Sequence, residues 1–121
     1  MIAGIGIDVV DILRFERSIV RTPALIDRLF AESERGRPAR SLAARFAAKE
    51  ALIKALGGHA VIRWHDMQVV QDSEGNPDFL LSGGLASHVQ ALGIDRVHLS
   101  MSHDAGIASA FVVLESRRDL E

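Results

Sequence analysis

Two carboxylates and two lysines carry the chemical interest of this 121-residue chain. Lys49 and Lys54 are its only lysines beside twelve arginines, and both lie in one stretch, SLAARFAAKEALIKALGG, from Ser41 to Gly58. Lysine is a compact cation whose pKa moves when it is desolvated, whereas arginine is a planar fork, so the choice of Lys here asks for a reason. On a helix, Arg45 and Lys49 fall one turn apart on one side, and Glu50 and Lys54 one turn apart on another, roughly 140° round. The plain reading of Glu50 and Lys54 is an i,i+4 surface ion pair worth about 0.3–0.5 kcal/mol. Set among alanines, where a backbone or ligand can come close, the charges point to a purpose instead. A second carboxylate, Asp8, sits in the apolar run MIAGIGIDVVDI and shares a strand face with Gly6 and Val10. Read plainly, it is a strand-end or turn aspartate. Hard carboxylates suit Mg²⁺, which takes one or two protein ligands and completes its octahedron with phosphate oxygens and water, so Asp8 and Glu50 point to phosphoryl chemistry.

Other chemistries find less support. His59, His65, His88, His98 and His103 show no metal-ligand spacing and Cys is absent, which argues against zinc, a thiolate nucleophile and a disulfide framework. His103, at a strand end, reads plainly as a cap or a solvated side chain. No GxSxG, Walker A or GxGxxG precedes a suitable helix, and AGIGID at Ala3 to Asp8 falls short of all three. A net charge of −2 gives no general attraction for nucleic acid, and 5% aromatics without Tyr argue against base-stacking platforms. No segment approaches 18 apolar residues, so no membrane is expected and the location inferred is the cytoplasm. Length and ordinary composition predict one domain spanning residues 1–121.

Around the charged stretch the chain alternates strands and helices. Met1 to Ile12 reads as a strand in which Gly4 and Gly6 suggest close backbone approach by another element. A short helix is predicted from Leu13 to Val20, with Asp11 as an entry residue, and a second from Thr22-Pro23 to about Phe30 with Thr22 as N-cap. Arg14, Arg17 and Arg21 recur at helical spacing, with Arg28 beyond, and such a run is ordinarily a solvated face. Glu32 to Arg40 reads as a loop and Ser41 to Leu56 as a helix with neighbours on more than one side, stopped by Gly57-Gly58. His59 to Asp66 is too mixed to assign. Met67–Gln71 and Asp78–Leu81 read as a hairpin, Leu85–Leu92 as a short helix, and Val97–Ser102 as a strand with one polar face. Ile107–Leu114 reads as a buried returning strand and the tail from Glu115 as frayed.

Three blocks, GIGIDVVDILRFE at Gly4 to Glu16, RFAAKEALIKALG at Arg45 to Gly57 and LSMSHDAGIASAFVV at Leu99 to Val113, resemble in that order the signatures of holo-acyl-carrier-protein synthases. These are the small single-domain 4′-phosphopantetheinyl transferases. The resemblance covers nearly the whole chain, and Lys49, Glu50 and Lys54 in a Lys-Glu-x-x-x-Lys pattern are its most diagnostic part. It implies an α+β fold with an antiparallel sheet packed around a long central helix. It further implies Mg²⁺-dependent transfer of 4′-phosphopantetheine from coenzyme A to a serine of an apo acyl carrier protein, releasing adenosine 3′,5′-bisphosphate. By the match, Asp8 and Glu50 are metal ligands and catalytic residues, with Lys54 against the same phosphates. The general base stays open between Lys54, a metal-bound water and a carboxylate. Coenzyme A contacts fall on Arg45, Lys49, Lys54, Gly57 and His103. The resemblance also implies a homotrimer with active sites between subunits, so that Glu50 and Lys54 serve one site while Arg45 serves a neighbour's. Arg14, Arg17 and Arg21 become docking residues for the acidic carrier.

The chain departs from the family in two places. Ala31 stands where members carry a capping Thr in a Thr-x-x-Glu pattern, and the loop from Glu34 to Ser41 is short. Two other functions use the same residues: a Mg²⁺-dependent phosphohydrolase of coenzyme A or nucleotides, and a non-catalytic trimeric binding module.

Overall fold

The computed structural model describes residues 1–58 and 62–117. Strand β1 (Ile2–Asp11) leads into helix α1 (Ile12–Arg21), a short helix α2 (Ala24–Leu29), a single 3-10 turn (Glu32–Glu34) and the long helix α3 (Ala39–Ala55). A second 3-10 turn (Trp64–Asp66) precedes the hairpin of β2 (Met67–Gln71) and β3 (Pro77–Leu81). Helix α4 (Gly83–Ala91) then connects to the long hairpin of β4 (Ile94–Asp104) and β5 (Ile107–Ser116). β1, β5 and β4 form an antiparallel sheet in that order, and β2 and β3 a separate two-stranded one.

α3 is central because alanine lets it be. Leu42, Ala43 and Ala44 pack in one apolar cluster with Phe15, Leu29 and Phe30; Ala47, Ala48, Ala51 and Leu52 join a second with Met67, Val69, Leu85, Val112 and Leu114. Both clusters meet on one helix, as its apolar circumference predicts. The sheet lies on α3 through β1, whose even-numbered residues face the helix. A Cβ on Gly6 would collide with the Ala51 carbonyl oxygen and sit 2.8 Å from the Ala55 nitrogen, and one on Gly4 would collide with the Ala55 carbonyl oxygen. The glycines therefore set the strand-to-helix distance, the backbone approach expected of them.

Several local expectations shift. Asp11 caps α1 as predicted, accepting from the Arg14 backbone N–H at 2.9 Å. Thr22 is no side-chain cap for α2: its backbone carbonyl accepts from the Leu25 N–H at 3.0 Å, and Pro23 occupies the cap position. The loop Glu32–Arg40 contains a 3-10 turn, and α3 starts at Ala39 because Pro38 fixes an extended residue before it while its carbonyl accepts the first helical bond from Leu42 N–H at 3.1 Å. β4 and β5 each run beyond their expected ends, and Ser116 still pairs with the start of the chain. Residues 118–121 of the tail, and His59 with its next two neighbours in the unassigned stretch, lie outside the described residues.

β5 is also less covered than its apolar run suggests. Ala108, Ala110, Val112 and Leu114 are buried, but Ile107 and Phe111 face outward at 39% and 44% exposure. Phe111 stands opposite Ile7, whose neighbours Ile5 and Val9 on the same face are similarly open. Within one chain the sheet has helices on one face only.

Gly6→Ala is expected to cost at least about 2–3 kcal/mol, because backbone and not a flexible side chain blocks the added methyl. Urea unfolding of variant and wild type measures it.

Candidate active site

Tight packing of β1 on α3 brings Asp8 within reach of the last turns of the helix. Lys54 Nζ donates to Asp8 Oδ1 at 2.8 Å and to the Ile7 carbonyl at 3.1 Å. The plain i,i+4 reading of Lys54 with Glu50 is thus not the contact made: Lys54 pairs across to the strand carboxylate. Glu50 instead lines a cleft of about 350 Å³ with Asp8, Arg14, Phe15 and Phe46. Its carboxyl is pushed above the ordinary range, first by burial and then by the negative charge of Asp8, with Lys54 opposing. Three carboxylates, Asp8, Asp11 and Glu50, line this cleft against Arg14, with Lys54 paired to Asp8, an arrangement a further cation would relieve.

That donor set fits Mg²⁺. The carboxylates are hard oxygen ligands, and no group of three or more His, Cys, Asp or Glu converges among the described residues, which leaves the remaining positions to water and a phosphate-bearing substrate.

Arg45 and His103 line a different cleft, of about 220 Å³, with Arg40, Ser41, Gln71 and Ser102. The two clefts share no residue. Arg45 is buried and donates from Nη1 to Ser41 Oγ at 2.5 Å, while Nε and Nη2 have no hydrogen-bond partner. His103 is exposed at the end of β4, beside the tight turn of Ala105 and Gly106, where both residues take positive φ. Arg40, in a stretch read as loop, was not singled out; its adjacency in sequence to Ser41 and Arg45 on the first turns of a helix is the signal that finds it.

Lys49 is the member that belongs elsewhere. It lines neither cleft: fully buried, its Nζ binds Glu34 Oε1 and the Leu29 carbonyl, each at 2.7 Å, and sits 5.0 Å from the centre of the Phe30 ring. Burial lowers its pKa and the hydrogen bond it donates to Glu34 opposes this. Both polar partners that hold the ammonium lie in the interior, so within this chain Lys49 is not grouped with the other residues expected at coenzyme A. Glu34 was overlooked for the same reason. It looked like one charge in a polar loop, yet it is 1% exposed and also accepts from Ala31 N–H at 3.0 Å and Val69 N–H at 3.1 Å. The glutamate half of the capping box thus survives without the threonine half.

Gly57 closes α3 with φ 84°, three residues past Lys54, and its position is set by the helix stop. Arg14, Arg17 and Arg21 are exposed on α1; Arg14 alone of the three borders the Asp8–Glu50 cleft.

Comparison with known proteins adds to the geometry. A sequence model described as the 4′-phosphopantetheinyl transferase superfamily matches residues 4–109. The chain is 65% identical to a holo-[acyl-carrier-protein] synthase of Leifsonia xyli, over 95% of its own length and 98% of that protein's. The crystal structure of the holo-[acyl-carrier-protein] synthase of Neisseria meningitidis superposes with a TM-score of 0.88 at 35% identity, covering 96% of this chain and 100% of that one. The Helicobacter pylori synthase in complex with coenzyme A superposes at 0.82 and 32% identity, covering 92% and 99%.

Lys49→Met takes from the buried Glu34 its closest cation and is expected to cost roughly 3–5 kcal/mol, much of which Glu34→Gln in the same chain restores. Denaturant midpoints of the two singles and the double give the coupling.

Proposed function

The chain belongs to the 4′-phosphopantetheinyl transferase superfamily, and on that premise we propose that it moves 4′-phosphopantetheine from coenzyme A to the serine hydroxyl of an apo acyl carrier protein. The observation that carries the reading is Asp8 and Glu50 lining one cleft, with Lys54 paired to Asp8, on two elements that a pair of glycines holds together. The relatives' names favour this over a phosphohydrolase or a binding module.

Asp8 and Glu50 would hold Mg²⁺, which supplies Lewis-acid neutralisation of the diphosphate. The chain's own residues do the rest. Lys54, anchored by Asp8 and the Ile7 carbonyl, keeps a positive charge beside the phosphates as the serine oxygen attacks the β-phosphorus and adenosine 3′,5′-bisphosphate departs with the electron pair. Phe15 and Phe46 wall the cleft and limit water, favouring the serine as acceptor. The base that receives the serine proton is Lys54, a bound water or a carboxylate of the cleft. Arg45 and His103, with Arg40, would hold nucleotide phosphates.

A homotrimer follows as part of the same proposal. The two clefts are separate within one chain, and the open face of Ile5, Ile7, Val9 and Phe111 is larger in apolar content than an isolated surface residue accounts for. Packing that face on another copy would cover it and bring one chain's Arg45 cleft toward a neighbour's Glu50. Residues 1–121 would act as a single transferase domain, and the cytoplasm is its proposed location. Arg14 at the cleft, with Arg17 and Arg21 exposed further along α1, presents positive charge that suits an acidic carrier.

Incubation with coenzyme A, Mg²⁺ and an apo acyl carrier protein should add one phosphopantetheinyl mass to the carrier, and EDTA should prevent it; no gain on several carriers would overturn the reading. Mg²⁺ should raise the melting temperature of wild type but not of Glu50→Gln, measured by scanning calorimetry. A carboxyl raised in the folded state binds its proton more tightly there, so stability falls as pH climbs through its titration, and Glu50→Gln should melt higher than wild type without metal. Arg14→Glu should raise the KM for the carrier severalfold with little change in KM for coenzyme A, read from initial rates. Phe111→Glu should give monomers in sedimentation and lose transfer.

A further inference from the structure

Among the described residues three charges lie buried outside the Asp8–Glu50 cleft, and the chemistry so far uses only one of them: Arg45, Glu34 and Lys49 are 2%, 1% and 0% exposed. Glu34 is held from four directions. Oε1 accepts from Lys49 Nζ at 2.7 Å and Ala31 N–H at 3.0 Å, while Oε2 accepts from Val69 N–H at 3.1 Å and faces Arg45 Nε at 3.8 Å. Its donors come from the 3-10 turn, α3 and β2, so the carboxylate has one orientation. Arg45 is left partly open. Nη1 reaches Ser41, but Nε and Nη2 donate to nothing, and a desolvated guanidinium with idle donors is costly until an acceptor arrives. Burial and the nearby Arg37 lower its pKa, and Glu34 opposes them.

One carboxylate against two cations leaves a single positive charge. Lys49 makes the closer contact with Glu34, at 2.7 Å against 3.8 Å, so the excess rests on Arg45 at the wall of the Arg40–His103 cleft. Were Lys49 absent, Glu34 would be left to pair with Arg45 and cancel the charge an anion needs.

We propose that Glu34, pinned by Lys49, is a positioning residue that fixes the Arg45 guanidinium for a phosphate of the coenzyme A nucleotide. The inference rests on the reading of Arg45 as a phosphate contact. Lys49 then acts at two removes: it takes up the carboxylate's charge, and Glu34 orients Arg45 without neutralising it.

The probe is adenosine 3′,5′-bisphosphate, titrated calorimetrically into the full chain as wild type, Arg45→Met, the double variant Glu34→Gln with Lys49→Met, and the triple. The double variant keeps the buried charge balanced, and its fold is checked by circular dichroism and melting. Arg45→Met and the double variant should each weaken binding on the order of tenfold, and the triple no more than Arg45→Met alone. Wild-type affinity in the double variant, or a loss that adds in full to that of Arg45→Met, overturns the positioning role. If Arg45→Met itself binds as wild type, the phosphate reading fails first and the positioning role with it. Should the double variant not fold, the unaltered protein decides: its Arg45 Nε–H resonance should exchange slowly without nucleotide and shift on adding the bisphosphate. A rapidly exchanging signal in the free protein sinks the idea.

Discussion

The backbone-to-backbone approach of strand and helix, Gly4 and Gly6 of β1 against Ala51 and Ala55 in α3, is the contact on which the site depends. Any side chain at either glycine would push the strand away from the helix. Asp8 is two residues along β1 from Gly6 and faces the same way, while Glu50 and Lys54 are the neighbours of Ala51 and Ala55 in sequence. The spacing that seats the strand therefore also sets the distance from Asp8 to Lys54, 2.8 Å. Alanine in the helix and glycine in the strand are two halves of one device.

α3 then sorts its charges by side. On one, Arg45 and Lys49 converge on the buried Glu34, which ties the turn before α3 to β2. On another, Glu50 lines a cleft with Asp8, and Lys54 pairs with that aspartate. Desolvation acts on both but with different ends. For Lys49 it is offset by a short ion pair and a carbonyl, making a structural strut; for Glu50 it is compounded by a second carboxylate, leaving an unmet demand for positive charge. A helix with a single polar stripe could not keep these two systems apart.

Much of this was legible in the sequence, and the limits have physical causes. Period-2 and period-3.6 patterns placed β2 residue for residue and α3 to within a turn, and the glycine pair announced a close approach. Two lysines among twelve arginines marked the right helix, yet could not tell strut from site, since Glu34 lies 15 residues before Lys49 in a stretch with every mark of a solvated loop. Lys54's partner is 46 residues away, so the local i,i+4 rule picked the wrong carboxylate. The run from Ile107 to Leu114 is apolar on both faces, and sequence alone assigned both to the interior of one chain; Phe111, half exposed, shows that one face lies open in the single chain.

The central claim is that Glu50 serves chemistry and not the fold. Single-turnover transfer to an apo acyl carrier protein, comparing wild type with Glu50→Gln whose melting curve is recorded alongside, tests it directly. A variant at least as stable as wild type without metal, and slower by three orders of magnitude or so, is the expected result. Transfer within about tenfold of wild type, or a variant that loses its fold, would contradict the account.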